Sequence, residues 1–237
     1  MRYFLVISYD GSKFYGFQRQ NDKVSIQKKL EDELSLIFDE EILIKGAGRT
    51  DRGVHAKGQA IHFDSELFIK PSIIKKKINK RLNDIKVKKC RIVSSEFHSR
   101  FSVKKKHYAY KISFNKNDFY SDYVYFQKKL NIKDMKIASK EFLGVHNFQN
   151  FVSGTRDNYD CIIYKIRFKK HKDTLSIHFY GKSFYRYMVR NMVGALIDVG
   201  KGKATSADIK QLLNHPKTDK MLSTAPAKGL TLVKIYY

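Results

Sequence analysis

The run Tyr3 to Tyr9 reads as a strand, and the residues after it change period. From Ser25, a hydroxyl suited to capping a helix, apolar residues fall at Ile26, Leu30, Leu34, Ile37 and Phe38, the spacing of one helical face. Two extended runs follow, Ile42 to Gly46 and Gln59 to Asp64. A second helix then opens at Pro71, with Ile74, Ile78 and Leu82 four apart, and Ile85 to Val93 closes the unit as a strand. The order β-α-β-β-α-β is the ferredoxin-like arrangement, an antiparallel sheet with helices on one face.

The order returns after residue 107. The pattern predicts a strand over Tyr108 to Phe114, a helix over Ile132 to Leu143, strands over Ile162 to Lys169 and Thr174 to Tyr180, helices from Phe184, and a last strand over Thr231 to Tyr236. No Pro- or Ser-rich linker separates the halves. The expected fold class is therefore α/β of the α+β type: two ferredoxin-like (RRM-like) halves, 1–103 and 104–237, with antiparallel sheets packed together around a central basic cleft.

Composition supports a real core: 42% of the 237 residues are apolar and 14% aromatic. Forty-seven Lys and Arg against 23 Asp and Glu give a net charge of +24, which argues for a polyanionic partner, nucleic acid first. No apolar run approaches the roughly 20 residues of a bilayer crossing. Met1 leads into a strand pattern and not a signal peptide, so the expected location is cytoplasmic. Cys90 and Cys161 lie far apart, without C-x-x-C, which offers neither a zinc site nor a disulfide framework. The eight histidines show no ligand spacing, and the glycines make neither a P-loop nor a dinucleotide fingerprint, so no metal or cofactor is expected.

The stretch most suggestive of chemistry is Gly46 to Ala56, G-A-G-R-T-D-R-G-V-H-A, on the central connection of the first half. Asp51 sits between Arg49 and Arg52, which would favour its ionised form and offer forks for phosphate. The plain alternative is a surface turn whose Asp bonds its own backbone. Further on, lysines 104 to 106 run onto a strand in which Tyr108, Tyr110, Ile112 and Phe114 share a face. Three of these read as core. Tyr108, at the expected mouth of the strand, could stack on an exposed base. Arg186 and Arg190 are four apart in the helical region expected from Phe184, either solvated or presented to a phosphate or carboxylate. The lysines at 70, 75, 76, 77 and 80, with Arg81, read singly as the wet side of a helix and together as a track for a phosphate backbone.

Several stretches taken in order carry a resemblance. They are Tyr9 to Gln20 (Y-D-G-S-K-F-Y-G-F-Q-R-Q), the Gly46 to Ala56 loop, Phe97 to Ser102, Phe142 to Phe148, Met188 to Asn191 and Ala225 to Leu230. Together they resemble the tRNA pseudouridine synthase A family across nearly the whole chain. Phe17 stands where the family usually has Trp, Arg52 where it has a small residue, Asn147 where Asp is common and Asn83 where Pro is common. The resemblance implies a cofactor-free homodimeric isomerase that converts uridine to pseudouridine at positions 38, 39 and 40 of the tRNA anticodon stem-loop. It implies Asp51 as the catalytic carboxylate, either a nucleophile at C6 or C1′ or a group that assists proton removal during glycosidic cleavage, with Arg49, Tyr108 and Arg190 on the substrate: Arg49 helping to extrude the base, Tyr108 stacking on it, Arg190 pairing with Asp51. Two rival readings remain at this stage, a noncatalytic RNA-binding protein on RRM-like sheets and a metal-dependent nuclease built on Asp51, His55 and Asp64.

Overall fold

The computed structural model describes residues 1–116, 121–216 and 223–237. The chain forms two compact units, one of Met1–Lys104 with Thr231–Tyr237, the other of Lys105–Leu230.

In the first unit β1 (Arg2–Tyr9) leads to α1 (Ile26–Phe38), β2 (Lys45–Gly46), β3 (His55–Asp64), α2 (Pro71–Arg81) and β4 (Ile85–Val93). The strands lie in the order β4-β1-β3, each antiparallel to its neighbour, and β2 adds to the far edge of β3. That is the ferredoxin-like order the pattern implied. Ser25 caps α1 by accepting the Lys28 N–H, and Ile26, Leu30, Leu34, Ile37 and Phe38 are its buried face. Pro71 opens α2, which buries Ile74 and Ile78, and the Leu82 N–H closes its end on the Ile78 carbonyl. One face of the sheet carries Tyr3 stacked on Phe63 at 5.2 Å with Phe38 edge-on to both.

The expected strand Ile42 to Gly46 is mostly not one. The Ile42 N–H goes to Ser35 Oγ and the Ile44 N–H to the buried carboxylate of Glu31, so α1 side chains take the bonds that a sheet neighbour would have made. Only Lys45 and Gly46 pair with β3.

The second unit contains β5 (Lys105–Ser113), β6 (Tyr125–Phe126), α3 (Ile132–Ala138), β7 (Gly144–Asn147), β8 (Asp160–His171), β9 (Thr174–Gly181), α4 (Met188–Gly200) and α5 (Ser206–Asn214). Its sheet runs β5-β9-β8-β7, antiparallel throughout, with β6 parallel on β5. The helix expected to reach Leu143 is α only to Ala138; Ser139 Oγ bonds back to the Lys136 carbonyl and the chain tightens into a 3-10 turn over Ser139–Phe142. The last strand, β10 (Leu230–Tyr236), sets Thr231 and Leu232 parallel to His55 and Ala56 of β3, and the residues from Thr231 on belong to the first unit.

The other face of the first sheet holds a histidine with a defined tautomer. His62 is buried, and its Nδ1 accepts the Ser99 N–H at 3.2 Å while Ser99 Oγ donates to the Lys45 carbonyl. Phe97 packs edge-on to its ring, Phe4 is edge-on to both Phe97 and Tyr237, and Tyr237 donates its hydroxyl to the Ser99 carbonyl. Burial, helped by His98 and Arg2, pushes the His62 pKa down to about 4, and burial beside His178 and Lys169 does the same to His107.

Both histidines are thus neutral in the folded protein and take up protons more readily when unfolded. Their contribution is present above pH 6.5 and disappears as pH falls toward 4; for His62 it is on the order of 3 kcal/mol. Urea unfolding at pH 7 and pH 5 should show this loss, and His62→Gln should flatten the slope between the two; an unchanged slope would assign the acid sensitivity elsewhere. Gly194 inside α4 gives a second test. Helix propensity alone favours Ala there by about 1 kcal/mol, but an added Cβ would stand 1.4 Å from the Ser223 carbonyl oxygen. Overpacking of roughly 1–3 kcal/mol should win, so Gly194→Ala is expected to lower the denaturant midpoint.

Candidate active site

The loop Ala47 to Val54 joins β2 to β3 and is held along its length by buried partners. The Ala47 N–H donates to the Ala60 carbonyl at 2.8 Å, and Gln59 Nε2 donates to the Gly48 carbonyl at 2.8 Å. Thr50 is buried. Its carbonyl accepts the Phe17 N–H at 3.1 Å, and its hydroxyl meets the Tyr9 hydroxyl at 2.8 Å. Asp51 is half-buried, and its carbonyl closes a turn by accepting the Val54 N–H at 3.1 Å. Gly53 within that turn has φ +80°, which any side chain would strain. A turn is present, as in the surface-turn alternative, and it is the backbone carbonyl of Asp51 that closes it. Arg49 and Arg52 both lie exposed, on either side of the buried Thr50 and half-buried Asp51.

The segment after β1 lies directly against this loop, backbone on backbone. A Cβ on Gly11 would sit 2.1 Å from the Val54 carbonyl oxygen. One on Gly16, whose φ is +99°, would sit 3.1 Å from the Thr50 oxygen and 3.3 Å from the Arg52 nitrogen. His55 is buried beneath, its Nδ1 accepting the Gly11 N–H at 3.1 Å with Asp10 Oδ1 3.2 Å away. Burial raises the Tyr9 phenol far above its ordinary range despite its bond to Thr50. It is a neutral hydrogen-bonding strut. Tyr9, Thr50, Gln59 and the two glycines were not singled out individually from the sequence. Tyr9 and the two glycines lay within the Tyr9 to Gln20 stretch read as a whole, Thr50 within the Gly46 to Ala56 loop, and Gln59 at the start of an extended run.

The nuclease constellation does not assemble. His55 and Asp64 occupy opposite ends of the ten-residue strand β3, roughly 30 Å apart at about 3.3 Å per residue. Asp64 is engaged by Arg2 through two bonds of 2.7 Å, which hold its carboxyl below the usual range. Among the described residues no group of three or more His, Cys, Asp or Glu is placed to hold a metal ion.

In the second unit Tyr108 lies deeper than expected. β5 starts at Lys105, so Tyr108 is inside the strand opposite Phe179, only 7% exposed, with Phe184 edge-on to its ring at 5.2 Å. Its neighbour on the same face, Tyr110, donates its hydroxyl to the Pro226 carbonyl at 2.8 Å and is core, as read. Arg190 stands in the first turn of α4. Its Nε donates to the Ala225 carbonyl at 2.8 Å, and its guanidinium lies 4.5 Å from the centre of the Tyr187 ring. The expected helical spacing of Arg186 and Arg190 is corrected here. The helix begins only at Met188, because Tyr187 takes a left-handed backbone with φ +65°, and Arg186 lies in the turn before it, 5.3 Å from the same ring.

A family model described as tRNA pseudouridine synthase matches residues 5–102 and 138–237, which contain the Asp51 loop, its bracing segment and α4. A tRNA pseudouridine synthase A of Thermosipho melanesiensis is 40% identical, covering 100% of this chain and 99% of the relative. That of Dictyoglomus thermophilum is 42% identical over 98% and 97%, and that of Bacillus subtilis 37% identical over 100% and 99%. The motifs, the sheet order of the first unit and these matches agree, and the chain belongs to the tRNA pseudouridine synthase family.

Proposed function

We propose that this protein isomerises uridine to pseudouridine at positions 38, 39 and 40 in the anticodon stem-loop of tRNAs, with Asp51 as the catalytic nucleophile. The observation that carries the reading is the loop itself. In a chain of this family, a half-buried carboxylate lies between two exposed arginines on a backbone braced at Gly48, Thr50 and Val54. A nucleophile held on so many independent contacts is positioned before the substrate arrives.

In the reaction the N1–C1′ bond breaks, the uracil turns, and C5 bonds to C1′. The hydrogen on C5 leaves to solvent and N1 gains one, so neither water nor redox equivalents are consumed. The Asp51 carboxylate forms a transient bond to the nucleoside, at C1′ or at C6, and is released when the new bond closes. The target base must leave its stack, at a cost of a few kcal/mol. Phosphate contacts drawn from a net charge of +24 and base stacking worth about 1–3 kcal/mol offset that cost. Arg49, exposed beside Asp51, holds the RNA backbone and helps extrude the base. Tyr108 and Arg190 complete the substrate contacts: the ring supplies a stacking face and the guanidinium a charged fork. We extend the reading to a homodimer acting in the cytoplasm; among the described residues no helix is long and apolar enough to cross a membrane.

Incubation with tRNA tritiated at uracil C5 is expected to release tritium without strand scission, and EDTA should leave the rate unchanged. Binding without release would favour the noncatalytic RNA-binding reading. Asp51→Asn should abolish release, by at least about four orders of magnitude, while tRNA affinity stays within a few-fold; equal losses of binding and turnover would make Asp51 structural. Tyr108→Phe should keep more activity than Tyr108→Ala, because stacking uses the ring, and equal rates for the two would remove that role.

A further inference from the structure

Arg52, the residue after Asp51, is exposed and lays its guanidinium over the Tyr15 ring with Cζ 4.3 Å from the ring centre. Lys23 brings its Nζ to 5.4 Å from the same ring. Tyr15 is 41% exposed, but its backbone is anchored: its N–H donates to the Val24 carbonyl at 3.0 Å and its carbonyl accepts from Gln20 Nε2 at 2.8 Å. Gly16 then packs against the backbone of Thr50 and Arg52 too closely to admit a Cβ without displacement, so the ring and the loop are held in register.

Two cations therefore lie against one aromatic ring at the rim of the Asp51 loop, and the ion pairs seen among the described residues involve neither of them. Some surface cations of this unit meet acids, Lys13 and Lys29 at Asp84, Lys28 at Asp32 and Arg81 at Glu33, whereas Arg52 and Lys23 meet a ring. The contact with the ring restrains the Arg52 guanidinium, and a guanidinium held against an aromatic ring still has edge N–H groups to offer a phosphate through two parallel bonds. A solvated lysine does not need such restraint. A cation meant for an anion that arrives with the substrate does.

We propose that Arg52, held by Tyr15 and assisted by Lys23, forms a subsite for a phosphodiester of the RNA strand next to the nucleotide that meets Asp51. The inference rests on the reading of Asp51 as the catalytic carboxylate acting on tRNA. It assigns work to a residue at which this chain departs from the family's usual small side chain. Such a subsite grips the strand beside the extruded base and takes no part in the bond changes.

The test pairs equilibrium binding of an anticodon stem-loop RNA over a range of salt with single-turnover tritium release at saturating RNA. Arg52→Ala should weaken binding about 5- to 10-fold and reduce the slope of log affinity against log salt by about 0.7 to 0.9, the value of one phosphate contact. The loss should reside in affinity, with the saturating rate falling less than about twofold. Tyr15→Ala should reproduce about half of the affinity loss on a logarithmic scale, and Tyr15→Phe, which keeps the ring, should restore wild-type binding. Unchanged affinity and salt slope in Arg52→Ala would overturn the subsite, as would a fall in saturating rate at constant affinity, which would make Arg52 a modulator of Asp51. Tritium release by the wild type is read in the same assay. Its absence would defeat the isomerase reading, while the binding comparison would still decide for or against the phosphate contact.

Discussion

The contact on which the site depends is the close approach of two backbone segments, the stretch after β1 and the loop before β3. Gly11 against Val54 and Gly16 against Thr50 leave no space for side chains, so the two stretches can be seated together only with glycine at both points. The Tyr9 to Thr50 and Gly11 to His55 hydrogen bonds then fix the seating laterally, out of water, where leaving any one of those groups unpaired is costly. A change in this contact would move the carboxylate of Asp51 without touching it.

The same contact explains why so polar a loop is ordered. Arg49 and Arg52 are exposed, whereas Thr50, Val54 and His55 are buried and hold the loop. Buried and exposed positions are interspersed along one short stretch. The buried positions bind the fold, and the exposed ones are those proposed above to meet the RNA. An excess of positive charge tolerated at the rim is consistent with a partner that brings its own negative charge.

The departures from the expected elements have a common origin. Ile42 to Ile44 is extended and apolar enough for a strand, yet side chains of α1 claim its N–H groups. Phe184 to Tyr187 continues the apolar stripe of α4, yet Tyr187 adopts a left-handed backbone and delays the helix by one turn. Ser139 ends α3 with a local bond to the Lys136 carbonyl. In each case the apolar pattern suggested an element, and local backbone conformation and hydrogen-bond partners decided what formed.

Much of the molecule was legible in the chain: the caps and apolar stripes of α1 and α2, the ferredoxin-like order of the first unit, the placement of Asp51 on its β-β connection, and the family. These follow from local periodicity, turn chemistry and motif spacing, all of which are written in consecutive residues. What only the tertiary structure decided was which of those residues meet. Tyr9 braces Thr50, Glu31 caps the backbone of Ile44, the final strand lies along β3, and Tyr15 receives Arg52. Such pairings join positions far apart in sequence, and they are selected by burial and by the need to satisfy every enclosed polar group, conditions that no local pattern carries.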